Sequence, residues 1–201
     1  VDVEKLGCDF LVFSGHKMLG PTGIGVLCAR SGVISELEPL AIGGGSIERV
    51  GTEKHELAPA PEGFEAGTPP IAEVIGLGEA VRYLRSKGME DISKHEKRLA
   101  RHLYDELASL ERVEIYGPGA GERVGIVAFN VEGLGPHDVA ATLDNVGRIM
   151  VRSGHHCAMP LHTEVLKRPE GSVRASLYLY NTRDEVEKLI EVLEDVVRTL
   201  A

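Results

Sequence analysis

The stretch that most constrains this chain is residues 9–30, DFLVFSGHKMLGPTGIGVLCAR. It opens as an apolar run, Phe10-Leu11-Val12-Phe13, and breaks at Ser14-Gly15-His16-Lys17. It turns through Gly20-Pro21-Thr22-Gly23 and resumes as the apolar residues 24–28. Short apolar runs bounded by Gly and Pro read as buried strands. Lys17 therefore stands just past the end of the first strand, among glycines that let a bulky ligand approach the backbone. A lysine beside apolar strands can lose solvation and exist partly as the free amine, the form that attacks a carbonyl. The plainer alternative is a solvated loop lysine, because most lysines are surface charges. A phosphate loop fails on spacing: Pro21-Thr22 stand where Lys and Ser/Thr are required. The chain also carries no G-x-G-x-x-G, so a Rossmann dinucleotide site is not supported.

At 201 residues the chain can build one full core or two small domains. No segment approaches the roughly 20 apolar residues of a membrane span, so no membrane partner is expected. The formal charge of −9 argues against nucleic acid, which favours a basic face. Three cysteines, Cys8, Cys28 and Cys157, are an odd and scattered set. They read as reduced, and with no secretory leader visible the expected location is cytoplasmic. The chain starts at Val1 and reaches its first strand within ten residues, as the later part of something longer would.

Further on, residues 31–40 read as a short helix, Gly43-Gly44-Gly45-Ser46 as a flexible elbow and residues 48–61 as an exposed loop or hairpin. Thr68 is a candidate N-cap with Pro69 in the first helical turn, followed by Ile71, Val74, Ile75, Gly78, Val81 and Leu84 at helical spacing. Such a helix start is either an anion site or simply a well-capped helix. A second helix spans about residues 89–110. Residues 113–116, 123–131, 148–152 and 173–180 read as strands, and residues 136–145 as a short helix. Thr182-Arg183-Asp184-Glu185 is a capping box. It opens a helix striped by Val186, Leu189, Ile190, Leu193, Val196, Val197 and Leu200. Strands with helices on one face suggest an α+β unit.

The second chemical stretch is Arg152-Ser153-Gly154-His155-His156-Cys157. A thiol beside two imidazoles can be held as thiolate, the nucleophilic form; a structural cysteine is the duller reading. His155, His156, Cys157 and His162 match no usual zinc spacing, so no metal is expected. Arg174 sits in a strand that otherwise faces a core. It suggests a carboxylate partner, or else an edge-strand arginine facing water.

Taken in order, SGHKMLGPTGIGVL, GGGS, FEAGTP, RSGHHCAMPL and RASLYLYNT resemble the class V aminotransferase family of fold-type I enzymes. More narrowly they resemble its group II cysteine desulfurases, with selenocysteine lyases as close kin. The likeness covers essentially the whole chain, and its short RSGHHC loop is the group II form. It implies an α/β fold: part of a PLP-transferase large domain, a mixed sheet with helices, over residues 1–88. A smaller α+β C-terminal domain would follow over residues 89–201. It implies pyridoxal 5′-phosphate (PLP) carried covalently by Lys17, with Ser14 and His16 as phosphate ligands. Gly67 and Thr68 would reach the phosphate of the other subunit of a homodimer. Cys157 would take sulfur from L-cysteine, leaving alanine, and pass it to a sulfur-acceptor protein, as in iron–sulfur cluster assembly. Arg174 would hold the substrate carboxylate, with Arg152 and His156 as neighbours. The family's N-terminal half supplies a ring-stacking histidine and an aspartate on the pyridine nitrogen, and neither is found in this chain. The expectation is therefore a fragment, or one piece of a split enzyme with a separate N-terminal half. Selenocysteine lyase or another class V lyase, and a non-catalytic remnant, are the alternatives.

Overall fold

The computed structural model describes residues 1–200; the side chain of Leu200, counted in the stripe above, lies outside what it describes. The chain divides into two compact units, Val1–Lys87 and Gly88–Ala201.

In the first unit, α1 (Val3–Leu6) is capped by the Asp2 carboxylate, which accepts from the Glu4 and Lys5 N–H groups. β1 (Phe10–Ser14) pairs antiparallel with β2 (Gly25–Ala29), from Phe10 opposite Ala29 to Ser14 opposite Gly25. The helix expected over residues 31–40 is only α2, Ser31–Ile34. Gly32 and two β-branched residues hold it poorly, and Pro39 forbids its extension. The expected hairpin is β3 (Ile47–Val50) with β4 (His55–Leu57).

Three further expectations for this unit fail. The GGGS elbow is pinned: the buried Ser46 hydroxyl donates to Gly43 O at 2.9 Å and accepts from Gly43 N–H at 3.0 Å. Gly67 N–H donates to Gly44 O at 2.7 Å, fastening the elbow to the next loop. The long helix α3 runs Ile71–Lys87, so Thr68 is not its N-cap and Pro69 is not in its first turn. Pro70 explains this, since a residue before proline is pushed out of the α region. α3 buries Leu77, Ala80 and Leu84, while Ile71, Val74, Ile75 and Val81 of the expected stripe stay exposed.

The second unit holds a four-stranded antiparallel sheet in the order β5-β6-β8-β7. Its strands are Val113–Tyr116, Ile126–Val131, Ser172–Ser176 and Arg152–Gly154 for β5, β6, β8 and β7 respectively. Its helices are α4 (Met89–Ser109), α5 (Pro136–Gly147) and α6 (Arg183–Leu200). One core joins Leu103 and Leu107 of α4, Val139 and Leu143 of α5 and Leu193 of α6 to Val127, Phe129 and Val173 of the sheet. The capping box closes both ways. Thr182 N–H donates to Glu185 Oε2 at 2.8 Å, and Glu185 N–H to Thr182 Oγ1 at 3.3 Å.

Three strands are shorter than expected. Arg148 is the left-handed cap of α5 (φ 55°), so β7 starts only at Arg152. β8 ends at Ser176, where Leu177 N–H turns to Gly125 O and Asn181 folds residues 178–181 into a turn. β6 starts at Ile126 because Arg123 is drawn onto the Tyr104 ring, 4.7 Å from its centroid, and donates to Tyr116 O.

The sheet has two faces, and period 2 decides what each carries. Val173 and Ala175 of β8 point into the helical core. Ser172, Arg174 and Ser176 therefore belong to the opposite face.

Candidate active-site residues

The first unit builds its candidate residues on the turn after β1. Ser14 ends the strand, and Gly15–Met18 form one 3₁₀ turn closed by Leu19 in a left-handed conformation (φ 65°). Gly15 N–H donates to Ile24 O at 2.9 Å, and Gly20 N–H donates to Gly15 O at 2.9 Å. Both positions require glycine. A Cβ on Gly15 would lie 2.7 Å from Ile24 Cγ2, and one on Gly20 would lie 2.9 Å from Leu77 Cδ1. The missing side chains let α3 press Leu77 against the turn, which sends His16 and Lys17 outward. Both are exposed, so of the two readings of Lys17 the solvated loop lysine describes this chain. The Ser14 hydroxyl does not cap the turn. Together these residues offer a primary amine, a hydroxyl and an imidazole within four consecutive positions, a donor set that fits an aldehyde bearing a phosphate. Gly67 and Thr68 are exposed, and Gly67 is left-handed (φ 88°). Among the described residues Gly67 N–H bonds to Gly44, not to the Ser14–Lys17 turn.

The second unit gathers Arg152, His156, Cys157 and Arg174. Arg152 of β7 lies directly opposite Arg174 of β8. Directly paired residues share a sheet face, so two guanidinium groups stand together. Like charges in that arrangement repel, and among the described residues neither arginine has an Asp or Glu partner. Among the described residues none supplies the carboxylate that the sequence suggested for Arg174; Arg174 Nε donates to Ser176 Oγ at 3.1 Å. Arg152 Nη2 donates to Cys157 Sγ at 3.4 Å, and Cys157 is exposed.

The turn that presents this thiol is strained. His156 and Cys157 both have positive φ, 54° and 64°, which a non-glycine residue rarely adopts. Such strain persists only where the surroundings hold it. Here Ala158 N–H donates to His155 O at 2.8 Å, and His155 Nε2 bonds to Pro169 O at 2.8 Å. His156 Nε2 lies 3.1 Å from Ser172 Oγ, and His162 Nε2 lies 3.0 Å from the same oxygen. Burial, and then the positive charge of Arg174, push His156 down to about 4 against a hydrogen bond at Ser172 that favours the charged form, so its ring is neutral at pH 7. Among the described residues no three His, Cys, Asp or Glu side chains converge as metal ligands.

Sequence reasoning passed over Ser172 altogether and weighed His162 only as a metal ligand. The available signal was a serine opening a strand on the face opposite its apolar residues.

The class V aminotransferase model matches residues 1–189. The chain belongs to that family. It is 46% identical over 201 residues to a probable cysteine desulfurase of Halobacterium salinarum, covering 100% of this chain and 48% of that protein. Its fold superposes on the apo cysteine desulfurase of Thermococcus onnurineus NA1 with a TM-score of 0.91 and 47% identity, over 98% of this chain and 49% of that one. The Escherichia coli cysteine desulfurase CsdA gives the same TM-score, 0.91, at 32% identity, over 100% of this chain and 49% of that one. The chain thus spans about half the length of the relatives it matches. The expected α/β fold, similar to part of a PLP-dependent cysteine desulfurase, is borne out. Among the described residues no helix is long and apolar enough to cross a membrane.

Proposed function

We propose that this chain is the C-terminal portion of a PLP-dependent cysteine desulfurase that converts L-cysteine to L-alanine. The observation that carries the reading is the Cys157 thiol beside Arg152, on a strained turn next to two arginines that lack a carboxylate among the described residues.

Lys17 is the amine that anchors the cofactor and later moves a proton at the substrate α-carbon. Ser14 and His16 hold the phosphate, and Gly67 and Thr68 reach the phosphate of the second subunit in a homodimer. When bound, PLP supplies an electron sink for the substrate α-carbon. Arg174 receives the substrate carboxylate in a two-pronged hydrogen bond, with Arg152 and neutral His156 as neighbours. The Cys157 thiolate, placed to pair with the Arg152 guanidinium, attacks the substrate sulfur. The carbon–sulfur bond breaks and a sulfur–sulfur bond forms. The electron pair stays with the carbon, which takes a proton and becomes the alanine methyl group. Cys157 is left as a persulfide. An acceptor protein then takes the sulfur in the cytoplasm, for iron–sulfur cluster assembly.

In this reading residues 1–88 are the end of the cofactor-binding domain and residues 89–201 the small domain. The other half of the cofactor domain comes from further chain or from a separate subunit. The isolated chain then binds PLP poorly and desulfurates cysteine slowly or not at all. Supplying the missing half restores the visible absorbance of the Lys17-bound cofactor, and Lys17→Ala removes it. In that assembly Cys157→Ala abolishes sulfide and alanine release. Unchanged sulfide release from Cys157→Ala would end the desulfurase assignment. Faster alanine release from selenocysteine than from cysteine would move it to a selenocysteine lyase.

A further inference from the structure

Behind the Cys157 turn, two imidazoles share one hydroxyl, and counting hydrogens leaves a single arrangement. His162 Nδ1 faces the Ala158 carbonyl at 3.1 Å. A carbonyl only accepts, so this nitrogen carries the ring proton. His162 is 4% exposed and, among the described residues, pairs with no carboxylate, so a second ring proton would be an uncompensated buried charge. Its Nε2 is therefore a bare acceptor, 3.0 Å from Ser172 Oγ. Ser172 has one hydrogen and must donate it there. Its oxygen is left with lone pairs only, so His156 Nε2, at 3.1 Å, is the donor to Ser172. A neutral His156 then bears no proton on Nδ1.

That nitrogen is buried and has no hydrogen-bond partner among the described residues. Buried polar atoms are seldom left so, and one without a partner asks for an explanation. Here the tautomer supplies it: with the ring proton spent on Ser172, Nδ1 is the bare nitrogen of the residue that immediately precedes Cys157. The β8 register gives the relay its rigidity. Ser172 is the first residue of that strand, pairs with Gly154 and is fully buried, so its hydroxyl cannot turn to water.

We propose that His162 and Ser172 are positioning residues that lock His156 in its Nε2–H tautomer and so fasten the strained His156–Cys157 turn to β8. This deepens the proposed function and rests on it for the role of Cys157.

The test is a long-range proton–nitrogen correlation spectrum of the chain at pH 7 with ¹⁵N-labelled histidine. Proton-bearing and bare ring nitrogens resonate in separate ranges, so each tautomer is read directly. The expected result is one tautomer for each ring, with the proton on Nε2 of His156 and on Nδ1 of His162. In Ser172→Ala, His156 should lose its single-tautomer signature and show the averaged shifts of an exchanging ring. Ser172→Thr, which keeps the hydroxyl, should restore it. The wild-type spectrum decides even if a variant fails to fold: a proton on Nδ1 of His156, or an averaged ring, overturns the relay. A Ser172→Ala spectrum with the wild-type tautomer overturns it as well. The measurement needs no turnover, so failure of the desulfurase assignment would leave the tautomer result standing, and failure of the relay would not touch alanine release.

Discussion

The two units use the same sequence signal and reach opposite ends. In the second unit, apolar strand residues alternate with polar ones, and Val127, Phe129 and Val173 are fully buried under three helices. In the first, β1 and β2 are just as apolar but, among the described residues, pair only with each other. Val12 and Leu27 stand directly opposite one another on that ribbon, 71% and 60% exposed. One face of α3 is equally bare, with Ile71, Val74 and Ile75 outward. A two-stranded ribbon cannot bury two apolar faces, and alone it is marginal at best. An apolar run thus states that a face is to be covered, not what covers it. For the second unit the cover lies within the chain. For the first, the proposed cover is the other half of the cofactor domain.

The sharpest way to break this contrast is to empty each core. Phe129→Ala should cost about 3–5 kcal/mol, the usual range for a buried aromatic truncated to alanine. The loss would appear as a lower midpoint of denaturant unfolding for the transition of residues 88–201. A cost under about 1 kcal/mol would mean that this core is far looser than its burial suggests.

The units also differ in how they treat imidazoles. His16 of the first is exposed, whereas His156 of the second is held neutral by burial and nearby positive charge, near 4 against an ordinary 6.5. The unfolded chain binds this proton more readily than the folded one. His156 therefore contributes its full share of stability above pH 6.5 and loses it progressively as the pH falls toward 4. Urea unfolding across that window should show stability declining with acid. His156→Gln, which cannot titrate, should flatten that decline. An unchanged slope would mean that His156 is no less protonatable when folded than when unfolded.

Much of the fold was legible because its signals are local. The 182–185 capping box, β5 over Val113–Tyr116 and the stripe of α6 each rest on residues a few positions apart. The family likeness was legible for the same reason, since its motifs are short unbroken runs. Contacts between distant segments were not. Ser46 pinning Gly43 looked like a flexible elbow because a glycine run says nothing of the serine's burial. Of its expected stripe α3 buries Leu84 but leaves Ile71, Val74, Ile75 and Val81 exposed, and it buries Leu77 and Ala80 instead, because a helix apolar on two faces does not declare which is packed. The exposure of Lys17 depends on Leu77 meeting Gly20, far along the sequence. Ser172 went unnoticed because a lone serine carries no periodicity; its meaning comes from two histidines folded onto it.

The smallest effect gives the most direct comparison, because one substitution can be made in both sheets. Val→Thr keeps the shape and the β-branching and exchanges a methyl for a hydroxyl. At Val127 that hydroxyl enters a fully buried core position, and an unpaired buried hydroxyl costs roughly 1–3 kcal/mol on mutational scales. At Val12 the side chain already faces solvent, so the change should stay within about 0.5 kcal/mol. Both are read from denaturant midpoints at low protein concentration. If Val12→Thr costs as much as Val127→Thr in the isolated chain, something already covers the ribbon. A second copy is then the first suspect, and the cost should fall on dilution. If the Val12 cost is small alone and grows when the missing half is supplied, the ribbon face is where that half docks. The contrast between the units then reflects which partner is present rather than a difference in how well the two sequences fold.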